Sequence, residues 1–173
     1  MKAALYAYPF LETVEEDYAE HIKNRALLSY RSTKTAEEMA ITIAEDILEK
    51  QKLVWLKERV GQALDSLTDV EKTLIGIRYF GKERKRKLAK TSGQALAENG
   101  AVQRKDGQWS ERKYFRVQNR LCEKLRAIFV RLGLTEEVFE REFACLELFE
   151  KIGAYIQKTN ERISQSEMRW LDR

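Results

Sequence analysis

The stretch "WSERKYFRVQNRLCEKL", residues 109–125, decides the fold because it combines two different helical faces. Ser110 can cap a helix, and apolar residues then recur every three or four positions, which is the repeat of one helical stripe. The positions in that stripe are Tyr114, Val117, Leu121, Leu125, Ile128 and Leu132, and it is widened by Phe115, Cys122 and Phe129. The pattern predicts a long amphipathic helix that buries this stripe in the core.

The opposite side of the predicted helix is polar and mostly basic. It carries Arg112, Arg116, Asn119, Arg120 and Glu123, and Lys113 follows Arg112 in the first turn. The N-terminus of a helix adds backbone donors and a partial positive charge at the same end. Two interpretations are open: a basic face that only meets water, or one that lies on a polyanion. We favour the second.

Charge along the whole chain supports a polyanion contact. The net charge is +4, but residues 78–126 hold fifteen basic and five acidic residues, which gives +10 for that segment. The remainder of the chain is therefore 4 − 10 = −6. Basic charge gathered on one segment of an otherwise acidic chain is the pattern expected of a polyanion contact.

The residues before this segment predict helices only. Pro9 is the single proline of the 173 residues, and we expect a first helix to begin just after it. Thr35 and Glu38 have the spacing of a capping box. That box predicts the start of a long second helix, with a break near Gln51.

A second capping box, formed by Thr68 and Glu71, predicts a short apolar helix that Gly81 ends. Residues 82–90 are compatible with a further helix, and the Asp106-Gly107 dipeptide allows a short hairpin over 101–109. After the basic helix, Gly133 predicts a stop, and Thr135 predicts the cap of one last helix that reaches Ile156. The expected fold class is all-α.

Several function classes lack support in the sequence. No apolar run approaches a membrane span, and the N-terminal residues lack a signal peptide's pattern, so we expect a cytoplasmic protein. Cys122 and Cys145 have no metal-ligand or redox spacing, and His21 is the only histidine. No phosphate-binding glycine motif is present. We therefore expect no enzymatic activity, no cofactor and no metal site.

Two segments together resemble region four of bacterial sigma factors. "ALDSLTDVEKTLIGIRYFG", residues 63–81, is similar to the start of that region, where a Leu-x-x-Leu pair precedes a capped helix ending in Arg-Tyr-Phe or similar. "SERKYFRVQNRLCEKLR", residues 110–126, is similar to its recognition helix. The intervening segment, 81–109, is longer than in the family, and residues 1–62 do not look like the part of a sigma factor that melts DNA. The chain looks more like the small sigma-like regulators of Gram-positive bacteria and their phages.

The resemblance implies a helix-turn-helix domain over 63–132, between an N-terminal helical arm, 1–62, and a C-terminal helical extension, 133–173. By position, Arg112 and Lys113 fall where the family reads base edges, and Arg116 and Arg120 fall where it meets bases or phosphates. Asn119 lies on the same face. The implied function is sequence-specific binding of double-stranded DNA to regulate transcription, with RNA polymerase as a further partner.

The crowded charges before the recognition helix suggest a different role. Arg84, Lys85 and Arg86 do not lie opposite a regular apolar stripe that would fix their direction, and we expect them to contact phosphates and not bases.

An alternative function is also open. The chain could be a protein-interaction module, such as a polymerase adaptor, an anti-sigma-like protein or a phage packaging subunit. The acidic, apolar helices at both ends would also suit a homodimer.

Overall fold

The computed structural model describes residues 2–28, 33–80 and 111–157, and for 111–114 it describes the backbone alone. Every regular element in these ranges is helical, which confirms the all-α class. The elements are α1 (Lys2–Leu28), α2 (Ala36–Asp65), α3 (Asp69–Ile75), a π-helical turn (Gly76–Phe80), α4 (Glu111–Arg131), α5 (Glu136–Phe143) and α6 (147–157). The helix over 82–90, the hairpin over 101–109, the Gly81 stop and the Ser110 cap lie outside the described residues.

Helix α1 begins before Pro9, so the predicted start just after the proline is wrong. A proline inside a helix removes one backbone hydrogen bond and typically costs about 3 kcal/mol. The residues before it offset that cost because Ala4, Leu5 and Ala7 are all buried. Burial of this first turn and a half favours a helix that local propensity alone would not extend.

Helix α2 confirms one prediction and corrects another. Its start is the predicted capping box: the Glu38 backbone N–H donates to Thr35 Oγ1 at 3.2 Å, and the Thr35 backbone N–H donates to Glu38 Oε2 at 2.8 Å. The helix then continues without the break that we predicted near Gln51. None of the helices in the described ranges is long and apolar enough to cross a membrane.

The chain divides into two compact units. The terminal unit comprises residues 1–54 and 136–173, and the central unit comprises 55–135. The boundary between the two units falls inside α2. Whether 63–132 folds by itself stays a prediction.

The C-terminal end of the terminal unit contains a turn where we predicted one continuous helix. Residues 144–146 separate α5 from α6. In an unbroken helix Phe139 and Phe149 would lie about 15 Å apart along the axis. Their ring centroids are 5.0 Å apart in an edge-to-face arrangement, and Phe143 completes the cluster. The turn lets these three phenylalanines share one core.

In the central unit, helix α4 ends just before the predicted glycine, Gly133. Gly133 has φ +80°, a conformation that suits glycine. The Leu134 N–H donates to Phe129 O at 2.9 Å and the Gly133 N–H donates to Val130 O at 3.1 Å, which together form a Schellman motif. Leu134 is fully buried. This motif confirms the Gly133 stop and returns the chain to the core.

Candidate nucleic-acid interface

Helix α4 contains the basic face that the sequence singles out, and its buried side matches most of the predicted stripe. Leu121, Leu125, Ile128 and Phe129 are each at most 5% exposed. Val117, Cys122 and Leu132 are partly buried. Phe115 is 49% exposed, so its assignment to the core stripe is wrong.

Gln118 holds α4 against α3 and was not identified from the sequence. Its side chain is 2% exposed, and Nε2 donates to the backbone carbonyl of Leu74 at 3.3 Å. Its Oε1 atom is buried and has no hydrogen-bond partner in the described part of the chain. The apolar period did contain a signal, because Gln118 lies three residues before Leu121 and therefore on the same side of the helix.

A second polar contact joins the start of α3 to α4. Glu71 is the acidic partner of the Thr68 capping box, which confirms the predicted cap. The same carboxylate accepts from Lys124 Nζ at 2.7 Å and 2.8 Å. Partial burial alone would raise the pKa of Glu71, but the hydrogen bonds from Lys124 and Thr68 outweigh it and hold that pKa below its ordinary value. Lys124 therefore forms an ion pair within the central unit.

A third contact joins α4 to the π-helical turn. The Tyr79 hydroxyl lies 3.5 Å from Cys122 Sγ, and Tyr79 is 5% exposed. Burial, and then the contact with Cys122, raises the pKa of Tyr79. Together with Gln118 and Lys124, this contact fixes the rotation of α4 about its own axis. That rotation determines which side of α4 faces solvent.

The outer face of α4 carries three of the predicted DNA-binding residues. Arg116, Asn119 and Arg120 are all exposed and follow one another at the i, i+3, i+4 spacing of one helical side. The structure therefore brings these three together. Arg112 and Lys113 lie in the first turn of α4, but their side chains fall outside the description. Arg84, Lys85 and Arg86 lie outside the described residues.

The contact between Glu71 and Lys124 gives a prediction for acid stability. Because the pKa of Glu71 is lowered on folding, its stabilising contribution is complete above the ordinary value of 4.5 and is lost as the pH falls through the folded value. Glu71→Gln keeps a capping hydrogen bond but removes the charge. We expect it to lower the free energy of unfolding at pH 7 by about 0.5–1 kcal/mol.

The measurement is urea unfolding at pH 7 and in strong acid, where the difference from the wild type should vanish. Glu123→Gln removes the same charge from an exposed position on α4 and serves as the matched control. A deficit of Glu71→Gln that persists at low pH would show that the capping geometry, and not the charge, accounts for the loss.

The terminal unit contains a cavity of about 570 Å³ that includes His21 in its wall. Most of the polar side chains that line the cavity form hydrogen bonds or ion pairs with one another. Tyr18 donates to Glu49 Oε2 at 2.8 Å, and Arg25 forms an ion pair with Asp46 at 2.9 Å. Burial, followed by the bond to Glu49, raises the pKa of Tyr18 to about 12. A tyrosine with this pKa remains protonated near neutral pH.

No family model, curated protein or solved structure matches this chain. The features that bear on function are the geometry and charge of α4 and the sequence motifs. Of these, the fixed outer face with Arg116, Asn119 and Arg120 has the clearest chemistry.

Proposed function

We propose that this chain is a sequence-specific DNA-binding regulator of transcription and that α4 is its recognition helix. The observation that carries the proposal is the contrast between the two sides of α4. One side is fixed by the buried Leu121, Leu125 and Gln118. The other presents Arg116, Asn119 and Arg120 to solvent.

The residue types on the outer face match the chemistry of base recognition. An arginine side chain donates two hydrogen bonds to O6 and N7 of guanine, and an asparagine pairs in the same way with N6 and N7 of adenine. Each good pair contributes about 1–3 kcal/mol of discrimination. In a helix-turn-helix, the N-terminal residues of the second helix point toward the bases. Arg112 and Lys113, one turn before Arg116, belong to the proposed base-reading set.

The segment before α4 has a separate part in the proposal. Arg84, Lys85 and Arg86 would neutralise phosphates and set the register of the protein on the duplex. This role needs positive charge but no fixed side-chain geometry. Binding of RNA polymerase and regulation of a promoter are the wider expectations that the resemblance to sigma region four adds.

The test uses double-stranded DNA selected from a random pool by the full-length protein. We expect Arg116→Ala and Arg120→Ala each to weaken binding to the selected sequence by about 1–3 kcal/mol if the residue reads a base. The preference at one base position should relax at the same time. Binding is measured by fluorescence anisotropy on the selected sequence and on a scrambled one, with thermal melting to verify folding.

Two further variants separate base reading from general attraction. Arg131→Ala removes an exposed arginine from the C-terminal end of the same helix and should leave both affinities unchanged. The triple variant Arg84→Ala, Lys85→Ala, Arg86→Ala should weaken binding to both DNAs alike. It should also reduce the salt dependence, by a slope of about 0.9 for each phosphate that is no longer neutralised.

The proposal fails if Arg116→Ala and Arg120→Ala bind both DNAs as the wild type does while remaining folded. The basic face of α4 would then be only a solvated surface. The protein-interaction alternative would gain from that result, because sigma region four also docks on polymerase.

A further inference from the structure

Helix α2 carries an apolar stripe on its exposed side. Residues 40, 41, 44, 47 and 48 follow the i, i+1, i+4, i+7, i+8 pattern of one helical face, and all five are exposed. We call these residues the α2 stripe; they are Ala40, Ile41, Ala44, Ile47 and Leu48. The three large side chains, Ile41, Ile47 and Leu48, are 54%, 40% and 56% exposed.

The α2 stripe lies opposite the side of α2 that packs on α1. Asp46 binds Arg25 of α1 at 2.9 Å, and Glu49 accepts from Tyr18 of α1 at 2.8 Å. At about 100° per residue, Asp46 is roughly 200° around the helix from Ala44. Leu53 lies about 180° around the helix from Ala44 and is buried, so α2 has apolar residues on both sides, and such a helix normally buries both. The second side of α2 is therefore built for a contact beyond α1.

The charges beside the α2 stripe are acidic. Of the five acidic residues in 36–49, Glu38 belongs to the capping box and Asp46 and Glu49 bind α1, which leaves Glu37 and Glu45. Glu37 and Glu45 are exposed, and neither forms an ion pair among the described residues. Glu37 lies in line with the α2 stripe, just before its first residue, and Glu45 lies at one edge of it. Both carboxylates therefore select a partner that places cations opposite them, as charged residues do in paired helices.

A second copy of the chain does not meet this requirement. In a parallel pair the two Glu37 side chains would come together, because Glu37 lies in line with Ala44, two turns before it. In an antiparallel pair centred on Ala44 and Glu45, the two Glu45 side chains would come together. Lys52, which shares an edge with Glu45 at a seven-residue spacing, already binds Glu142 at 2.9 Å. Like charges across a helix pair are unfavourable.

We propose that the α2 stripe is a docking surface for an amphipathic helix of another protein, one whose apolar row is flanked by lysine and arginine. The apolar row covers Ile41, Ile47 and Leu48, and the flanking cations lie against Glu37 and Glu45. This surface belongs to the terminal unit and does not depend on the proposed DNA-binding function of α4.

The probes are three synthetic helical peptides of equal length. The first has a leucine row with lysine and arginine flanks, the second has the same row with glutamate flanks, and the third has the composition of the first in scrambled order. Their binding to the full-length protein is measured by fluorescence anisotropy. We expect the first peptide to bind at least about tenfold more tightly than either of the others.

Two variants of the protein test the assignment. Ile41→Ser with Leu48→Ser should weaken the first peptide by about tenfold or more, because both side chains are anchors at the centre of the surface. Leu27→Ser with Leu28→Ser removes two equally exposed leucines from α1 and should leave binding unchanged. Glu37→Lys with Glu45→Lys should reverse the preference, so that the glutamate-flanked peptide binds more tightly.

Three results would overturn the proposal. The first is equal binding of the ordered and scrambled basic peptides. The second is a charge-reversed variant that keeps the preference of the wild type. The third is a dimer in analytical ultracentrifugation that Ile41→Ser with Leu48→Ser dissociates, because a second copy would then cover the α2 stripe.

Discussion

Leu121→Ala is expected to lower the free energy of unfolding by roughly 2–5 kcal/mol. Leu121 is 3% exposed and lies in the middle of the buried side of α4, next to Leu125. Truncation removes apolar contacts and leaves a cavity that helix packing can only partly close. Since single domains are stable by only about 5–15 kcal/mol, the variant should unfold at a clearly lower urea concentration.

The same helix offers a control for this prediction. Val130 is 52% exposed, and Val130→Ala should change stability by no more than about 0.5 kcal/mol. If α4 reads DNA as proposed, both variants should bind DNA like the wild type under conditions where they are fully folded, because neither side chain belongs to the outer face. Equal effects of the two substitutions on unfolding would contradict the packing of α4 described above.

Gln118→Glu is expected to make stability depend strongly on pH. It would bury a carboxyl group beside the carbonyl oxygen of Leu74, where two acceptors repel each other when the carboxyl is ionised. Burial should raise the pKa of the introduced group above its unfolded value. Stability is then close to that of the wild type below the unfolded pKa and falls as the pH rises toward the folded one. The loss at pH 7 should be about 2–5 kcal/mol.

The measurement for this prediction is urea unfolding between about pH 4 and pH 8. This range should include the pKa of the introduced carboxyl group in both the unfolded and the folded protein. Gln118→Leu has a similar volume without the charge, so its difference from the wild type should be independent of pH. A Gln118→Glu variant with the same flat difference would indicate that the side chain turns toward water and does not fix α4.

Helix α4 and the capping boxes were predictable because their signals are local. The period of the apolar residues around Leu121 and Leu125 places the buried side, and Thr68 with Glu71 marks the start of α3. Phe115 was assigned wrongly because it lies at the border of the stripe, about 120° from Leu121. Periodicity does not decide the burial of a border residue; the neighbouring elements do.

The incorrect predictions depend on contacts between distant residues. The residues before Pro9 are apolar, but the local pattern does not show what they pack against, and it is the burial of Ala4 and Leu5 that favours a helix through the proline. The turn between α5 and α6 likewise serves the packing of Phe139 against Phe149. For the candidate site, the sequence located the basic face but not Gln118, because a glutamine in an apolar stripe is recognised as a fixing residue only when its backbone partner is known.

The double use of Glu71 also constrains how this chain can diverge. Its carboxylate both caps α3 and binds Lys124, so most substitutions at position 71 alone would disturb two interactions at once. Positions 71 and 124 should therefore change together in descendants of this sequence, whereas Arg116, Asn119 and Arg120 are free to change one at a time. If the proposed role of α4 is right, descendants with changes at Arg116, Asn119 or Arg120 would prefer new DNA sequences while the packing of α3 against α4 stays the same.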